Sequence, residues 1–171
     1  MLTTKTAVPK FAEQVVTVRP ILASDSAMES EFIRNLSDET KHYRFLGGVR
    51  ELPPEELKQL CEVDGSHSMA FVATVPSNGR ETEIGVCRYG EGSKDDVLEM
   101  AITIADAWQH KGLAQLLLKP LIAFARDHGV KQLYSVEFAD NAAMRQLASD
   151  FGMSTRNDPD DAEQVIYSLT L

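Results

Sequence analysis

An alternating apolar run, Val97 to Ile104, passes through a short turn directly into a long apolar helix that opens near Leu113. The linking segment is Ala105-Asp106-Ala107-Trp108-Gln109-His110-Lys111-Gly112-Leu113-Ala114. A strand that feeds a helix in this way fixes the centre of an α/β fold. The helix start also has chemical character: its first amides lack intrahelical partners and stand at the positive end of the dipole. Such termini receive phosphates. Gly112 allows backbone to approach a ligand closely, and Ala114 keeps the first turn nearly bare. The spacing Gln-x-x-Gly-x-Ala lacks the Lys-Ser/Thr of a nucleotide P-loop and the three glycines of a dinucleotide fingerprint.

The surrounding pattern supplies the remaining elements. Val15 to Pro20 reads as a first strand. Ser24 or Asp25 can cap a helix running to about Leu36, and Ser37 a second one carrying Tyr43 and Phe45. Pro53-Pro54-Glu55-Glu56 opens a third. Strands follow at Met69 to Val75 and Glu83 to Tyr89, separated by the turn residues Pro76 to Arg80. Glu91 to Asp96 reads as another turn, leading into Val97 to Ile104. The helix from Leu113 carries Leu116, Leu117, Leu121, Phe124 and Ala125 at helical spacing and ends at His128-Gly129. Pro120 inside it predicts a bend. Gln132 to Phe138 is the next strand, Asn141 caps a helix closed by Phe151-Gly152, and 152–156 with 164–171 form a last hairpin. The unit from Val97 to Phe138 predicts a parallel strand-helix-strand crossover within an otherwise antiparallel sheet. The fold class is thus a mixed-sheet α/β domain over residues 15–171, preceded by a polar tail, residues 1–14.

A chain of 171 residues buries a substantial core as one domain. A net charge of -9 argues against a nucleic-acid surface and suits cationic partners or simple solubility. No apolar run spans a bilayer, and nothing resembles a secretory signal, so no membrane role is expected. Cys61 and Cys87 are isolated, which suits a reduced, cytoplasmic setting. His42, His67, His110 and His128 show no metal-ligand spacing, so no metal is expected. A homodimer is neither specified nor excluded.

Gln109 to Ala114 resembles the pyrophosphate-binding signature of the GNAT superfamily of acyl-CoA N-acyltransferases. The element order from Val15 onward is similar to that fold, and Arg19-Pro20 with Ser24-Asp25 looks like its opening. Asp140-Asn141-Ala142-Ala143-Met144 with Phe151-Gly152-Met153 resembles its later asparagine motif. More narrowly, 35–45, 49–52, Gly85 to Tyr89 and Leu98-Glu99-Met100-Ala101 resemble the GNAT domain of Pat-type protein lysine acetyltransferases.

The resemblance implies a GNAT-like mixed sheet and acetyl transfer from acetyl-CoA to an amine, either a protein lysine or a small amine. A non-catalytic acyl-CoA sensor is the alternative of a different class. Gln109, His110, Lys111, Gly112, Leu113 and Ala114 would hold the CoA phosphates, mainly through backbone. Ile102 would offer an amide to the thioester carbonyl, Ile104 would line the pantetheine path, and Asn141 would lie near the thiol end. Glu99 matches the catalytic glutamate of the Pat-type enzymes. A base is required because a lysine amine, with a reference pKa of ~10.4, must lose a proton before it attacks. The alternative for Glu99 is a solvent-facing residue paired with Arg88 or a lysine. Glu137 reads as a surface strand residue, with a second acid as the alternative. Trp108 reads as a packing anchor. Many relatives carry a tyrosine after the asparagine that protonates the leaving thiolate. Here Leu147-Ala148-Ser149 has none, so the general acid is unassigned.

Overall fold

The computed structural model describes residues 14–47 and 51–171. All but the last residue of the expected polar tail, and Val49-Arg50 of the narrower resemblance, lie outside them. Strand β1 (Thr17–Pro20) leads through a short 3-10 turn to helices α1 (Ser26–Asn35), α2 (Asp38–Arg44) and α3 (Pro54–Cys61). The meander β2 (Met69–Ser77), β3 (Arg80–Lys94) and β4 (Val97–Ile104) follows. Then come α4 (Leu113–Asp127), β5 (Gln132–Phe138), α5 (Ala142–Asp150), β6 (Ser154–Asn157) and β7 (Gln164–Thr170).

Among the described residues, the strands form one sheet in the order β1-β2-β3-β4-β5-β7-β6. Every neighbouring pair is antiparallel except β4 and β5, which run parallel around α4. Helices pack against both faces of the sheet, over two hydrophobic cores. One core gathers Leu113, Leu117, Leu118, Leu121 and Ala125 of α4 with Met144 and Leu147 of α5 against β2, β3, β4, β5 and β7. The other packs Phe32, Ile33 and Cys61 of α1 and α3 onto Ala70, Val72 and Val86. The α4 stripe keeps Leu117, Leu121 and Ala125 of the expected set, with Leu118 and Ile122 in addition, while Leu116 and Phe124 are only partly buried. α4 runs unbroken through Pro120.

Three expectations about local structure need correction. β2 and β3 extend to the turn itself, because Asn78 (φ 50°) and Gly79 (φ 76°) make a tight two-residue connection between Ser77 and Arg80. Pro76 is tolerated there because β1 no longer pairs beyond Thr74. The expected turn at 91–96 is mostly strand: β3 continues to Lys94 across a bulge, and Lys94 pairs with Val97. Gly92 makes this possible, since a Cβ there would stand 2.0 Å from Val97 O. Finally, Asp25 does not cap α1 by its side chain. Its carboxylate accepts from Leu22 N at 2.8 Å and pairs with Arg19 at 2.7 Å, which holds it below the usual carboxylate range.

Beneath α1, Arg88 donates to Glu29 at 2.6 Å and to Leu60 O at 2.7 Å. Glu83 is buried beside them. Burial first, then the like charge of Glu29, raises its carboxyl far above the ordinary range. A folded-state pKa above the unfolded value of ~4.3 means stability falls as pH rises through that value. Glu83→Gln removes the ionisable group while keeping its shape. It should stabilise the protein by about 1–2 kcal/mol at neutral pH and by little below ~4. Urea melts at the two pH values check this; equal effects at both would refute it.

Candidate active site

The site forms where the sheet opens. β4 and β5 pair only at Val97↔Gln132, Leu98↔Leu133 and Glu99↔Tyr134, and beyond that level they part. The backbone of β4 left facing the gap can be identified. Ala105 donates its amide to Ile84 O at 2.9 Å. Bonded and non-bonded pairs alternate in an antiparallel ladder, so Gly85↔Ile104 and Cys87↔Ile102 are non-bonded. The amides and carbonyls of Ile102 and Ile104 therefore point away from β3, into the gap. Consistently, Ile104 O receives the side-chain amide of Gln109 at 3.1 Å.

The segment after β4 is tied to α2 by its polar side chains. Ser37 caps α2 by accepting from Thr40 N at 3.1 Å. Asp106 accepts from Ser37 N at 2.9 Å, Ser37 Oγ at 2.6 Å and Thr40 Oγ at 2.7 Å. Gln109 also donates to Thr40 Oγ at 3.1 Å. Thus Gln109 acts as a brace between α2 and β4. Lys111 donates to Ala107 O at 2.7 Å and lies over the Trp108 ring, so its ammonium is engaged within its own loop. Trp108 packs against the α4-side core, as expected of an anchor. Leu113 is 1% exposed, so its side chain belongs to the core and only its backbone faces the loop.

His110 (φ 59°) and Gly112 (φ 86°) both adopt the left-handed region, which turns the chain into α4. Gly112 is the N-cap, and Leu116 N closes the first bond to Gly112 O at 3.2 Å. The amides of the first turn are left outward-facing by helix geometry. A Cβ on Gly112 would meet nothing closer than Gln115 Oε1 at 3.9 Å, so open space lies over this position.

Between these parts lies a cavity of about 480 Å³. β4 contributes Glu99, Ile102 and Ile104, the α4 approach Gln109, His110 and Ala114, and α5 its cap Asn141. Lys111, Gly112 and Leu113 are not part of its wall; they lie along the approach to α4. Asn141 accepts from Met144 N at 3.1 Å and donates to Glu137 at 3.4 Å.

Glu99 lies level with the last paired residues of β4, where the gap begins. Solvent reaches its side chain. Partial desolvation raises its pKa, against the opposing charge of Arg44. Arg88 is not its partner, being committed to Glu29.

Glu137 corrects the sequence reading. It is 9% exposed and lines the cavity, so it is not a surface strand residue. Ser135 Oγ donates to one of its oxygens and Asn141 to the other. Burial pushes its carboxyl up to about 7. Arg44 was not singled out by sequence reasoning either. It reaches both carboxylates electrostatically, and burial lowers its own pKa to about 10, which leaves it charged at neutral pH. The available signal was helical spacing: Thr40 and Arg44 stand four apart on the α2 face that Gln109 touches.

The model of the Acetyltransferase (GNAT) domain matches residues 16–154. The chain belongs to the GNAT acetyltransferases. An acetyltransferase of Pseudomonas aeruginosa is 44% identical over 156 residues, covering 91% of this chain and 84% of that protein. Acetyltransferase Pat of Mycolicibacterium smegmatis is 30% identical over 136 residues, 79% of this chain but only 40% of that longer protein. Among solved structures, the GNAT domain of S. lividans PAT superposes with a TM-score of 0.80 at 23% identity, covering 97% of this chain and 100% of that one.

GNAT enzymes draw on acyl-CoA donors, and the GNAT site here fits one. The outward amides at the α4 start and the open space over Gly112 suit a pyrophosphate. The unpaired edge of β4 offers Ile102 and Ile104 to an amide-bearing chain lying in the gap. Among the described residues no cluster could hold a metal ion, and no helix is long and apolar enough to cross a membrane.

Proposed function

We propose that the protein moves an acetyl group from acetyl-CoA to a primary amine, with protein lysine as acceptor and Glu99 as general base. The observation that carries this reading is the position of Glu99. It stands at the mouth of the β4–β5 gap, partly desolvated, three residues before the free amide of Ile102. A thioester carbonyl bonded to Ile102 N–H would be polarised as in an oxyanion hole. An amine arriving at the mouth would find Glu99 ready to take its proton. Phosphates would rest on the Gly112 turn, with His110, Lys111, Leu113 and Ala114 contributing backbone.

The acceptor side is acidic. Glu39, Glu99, Glu137 and Asp140 face the cavity against the single cation Arg44 among the described residues, aside from His110. That balance favours an ammonium-bearing acceptor. The resemblance of 35–45 and Leu98-Glu99-Met100-Ala101 to the Pat-type protein lysine acetyltransferases favours lysine, and Acetyltransferase Pat is among the relatives of this chain. The deciding experiment is acetyl-CoA turnover against lysine peptides and small amines, read as free CoA release. Lysine peptides should turn over best. Turnover confined to small amines would reassign the acceptor, and tight acetyl-CoA binding with no turnover would favour a sensor.

A further inference from the structure

The carboxylate on β5 has no part in the reading above, and the α5 helix lacks a tyrosine to protonate the leaving group. We propose that Glu137 is the general acid of the reaction, delivering its proton to the departing thiolate. This rests on the acetyl-transfer reading of the site.

Strand register places the group. The parallel pairs Val97↔Gln132, Leu98↔Leu133 and Glu99↔Tyr134 keep one offset, and continuing it sets Glu137 level with Ile102. Ile102 offers its amide into the gap from β4, so Glu137 stands across the gap from the carbonyl that amide would hold. Side chains alternate along strands, and paired residues share a face. Glu99 and Tyr134 therefore lie on one face of the sheet, and Glu137, three residues on, lies on the other. The two carboxylates flank the gap from opposite faces. An amine can reach the thioester on the Glu99 side while sulfur departs past Glu137.

Ser135 and Asn141 donate to the two oxygens of Glu137 and fix their orientation. Both bonds favour the carboxylate, and burial outweighs them. The charged and titratable groups around it come from every flanking element. They are Glu39, Tyr43 and Arg44 of α2, Glu99 of β4, His110 before α4 and Asp140 before α5. Burial raises its pKa most and Glu99 adds to that, against the Ser135 bond, the Arg44 charge and the Asn141 bond, which favour the ionised form. The carboxyl keeps its proton below about 7 and loses it above.

The step balances. The ammonium first gives one proton to Glu99, which passes it to water. The neutral nitrogen then bonds to the carbonyl carbon and gives its second proton to Glu99, and the C–S bond breaks with its electron pair on sulfur. The thiolate takes the proton of Glu137. Glu99 then releases a proton to water and Glu137 regains one, so no other reactant is consumed.

The test uses the full chain, acetyl-CoA and the best amine of the panel. Glu137→Gln keeps the shape and its Ser135 and Asn141 partners but has no proton to give. Its kcat should fall by about tenfold or more, with acetyl-CoA affinity by calorimetry unchanged. The wild-type decline in kcat above pH about 7 should be absent. Glu137→Asp should restore part of the rate. Glu99→Gln keeps the decline above pH about 7 and instead loses the rise set by the Glu99 carboxyl, following the neutral-amine fraction in its place, so failure of the base assignment is distinguishable from failure of this one. A Glu137→Gln enzyme with wild-type kcat and pH profile overturns the proposal. So does a rate loss matched by loss of acetyl-CoA affinity. A second measurement needs no acceptor: 13C NMR titration of the glutamate carboxyls, assigned with the variant. Glu137 should titrate near about 7, and titration in the ordinary carboxylate range overturns the proposal.

Discussion

Glu99→Gln should lower kcat by about 10²–10⁴, the usual contribution of a positioned base. Acetyl-CoA affinity should be unchanged, because in this reading the donor is held by backbone at the Gly112 turn and Ile102, not by the Glu99 side chain. The loss should depend on pH with a definite sign. Desolvation raises the pKa of Glu99 in the folded protein, so the wild-type rate climbs as that carboxyl loses its proton, at a pH above the ordinary glutamate value. The glutamine variant depends on amine that is already neutral. That fraction grows tenfold per pH unit up to the lysine value of ~10.4, so the gap between the two enzymes should close as pH rises. A pH–rate profile of both on one acceptor checks it. Near-wild-type turnover at neutral pH would remove Glu99 from the chemistry. A constant deficit at all pH values would make it a binding or positioning residue.

What the sequence disclosed, and what it hid, follow from how each element is covered. β4, β5 and the start of α4 lie where alternation and the Gly112 turn place them. The caps at Ser37 and Asn141 are made as their residue types imply. Glu137 was hidden by a strand whose less apolar face is the more buried one. In Gln132 to Phe138, Tyr134, Val136 and Phe138 form an obvious apolar side, which leaves Ser135 and Glu137 reading as solvent-facing. In the fold the Phe138 ring stacks on His42 of α2 at 4.6 Å, while Leu133, Ser135 and Glu137 turn beneath α5 and are the more buried set. Alternation marks two faces but cannot say that both are covered. Arg44 was hidden for a related reason. Its meaning comes from two glutamates on strands far along the chain, which the gap brings together. The bulge at Gly92 was misread because a lone glycine among polar residues looks like a turn. Its actual cause is the backbone of Val97 lying against it.

The Gly112 turn separates fold from ligand. Gly112→Val should weaken acetyl-CoA binding by about 100-fold or more, about 2.7 kcal/mol, through two effects. The first is backbone: at φ 86° a β-branched residue is strained, which costs roughly 1–2 kcal/mol and disturbs the start of α4. The second is space: the open volume over Gly112 is where phosphate oxygens must approach the amides. Gly112→Asn divides the two, since asparagine accepts the left-handed region with little strain. Its thermal stability should stay near wild type while acetyl-CoA affinity still falls, because its side chain enters the same space. Calorimetry with acetyl-CoA and with S-acetylpantetheine, which carries no phosphate, gives the contrast. The deficit should appear with the pyrophosphate-bearing ligand and vanish with the one that lacks it. If Gly112→Asn binds acetyl-CoA as wild type does, the phosphates do not rest on this turn. The donor would then have to enter the gap from another side.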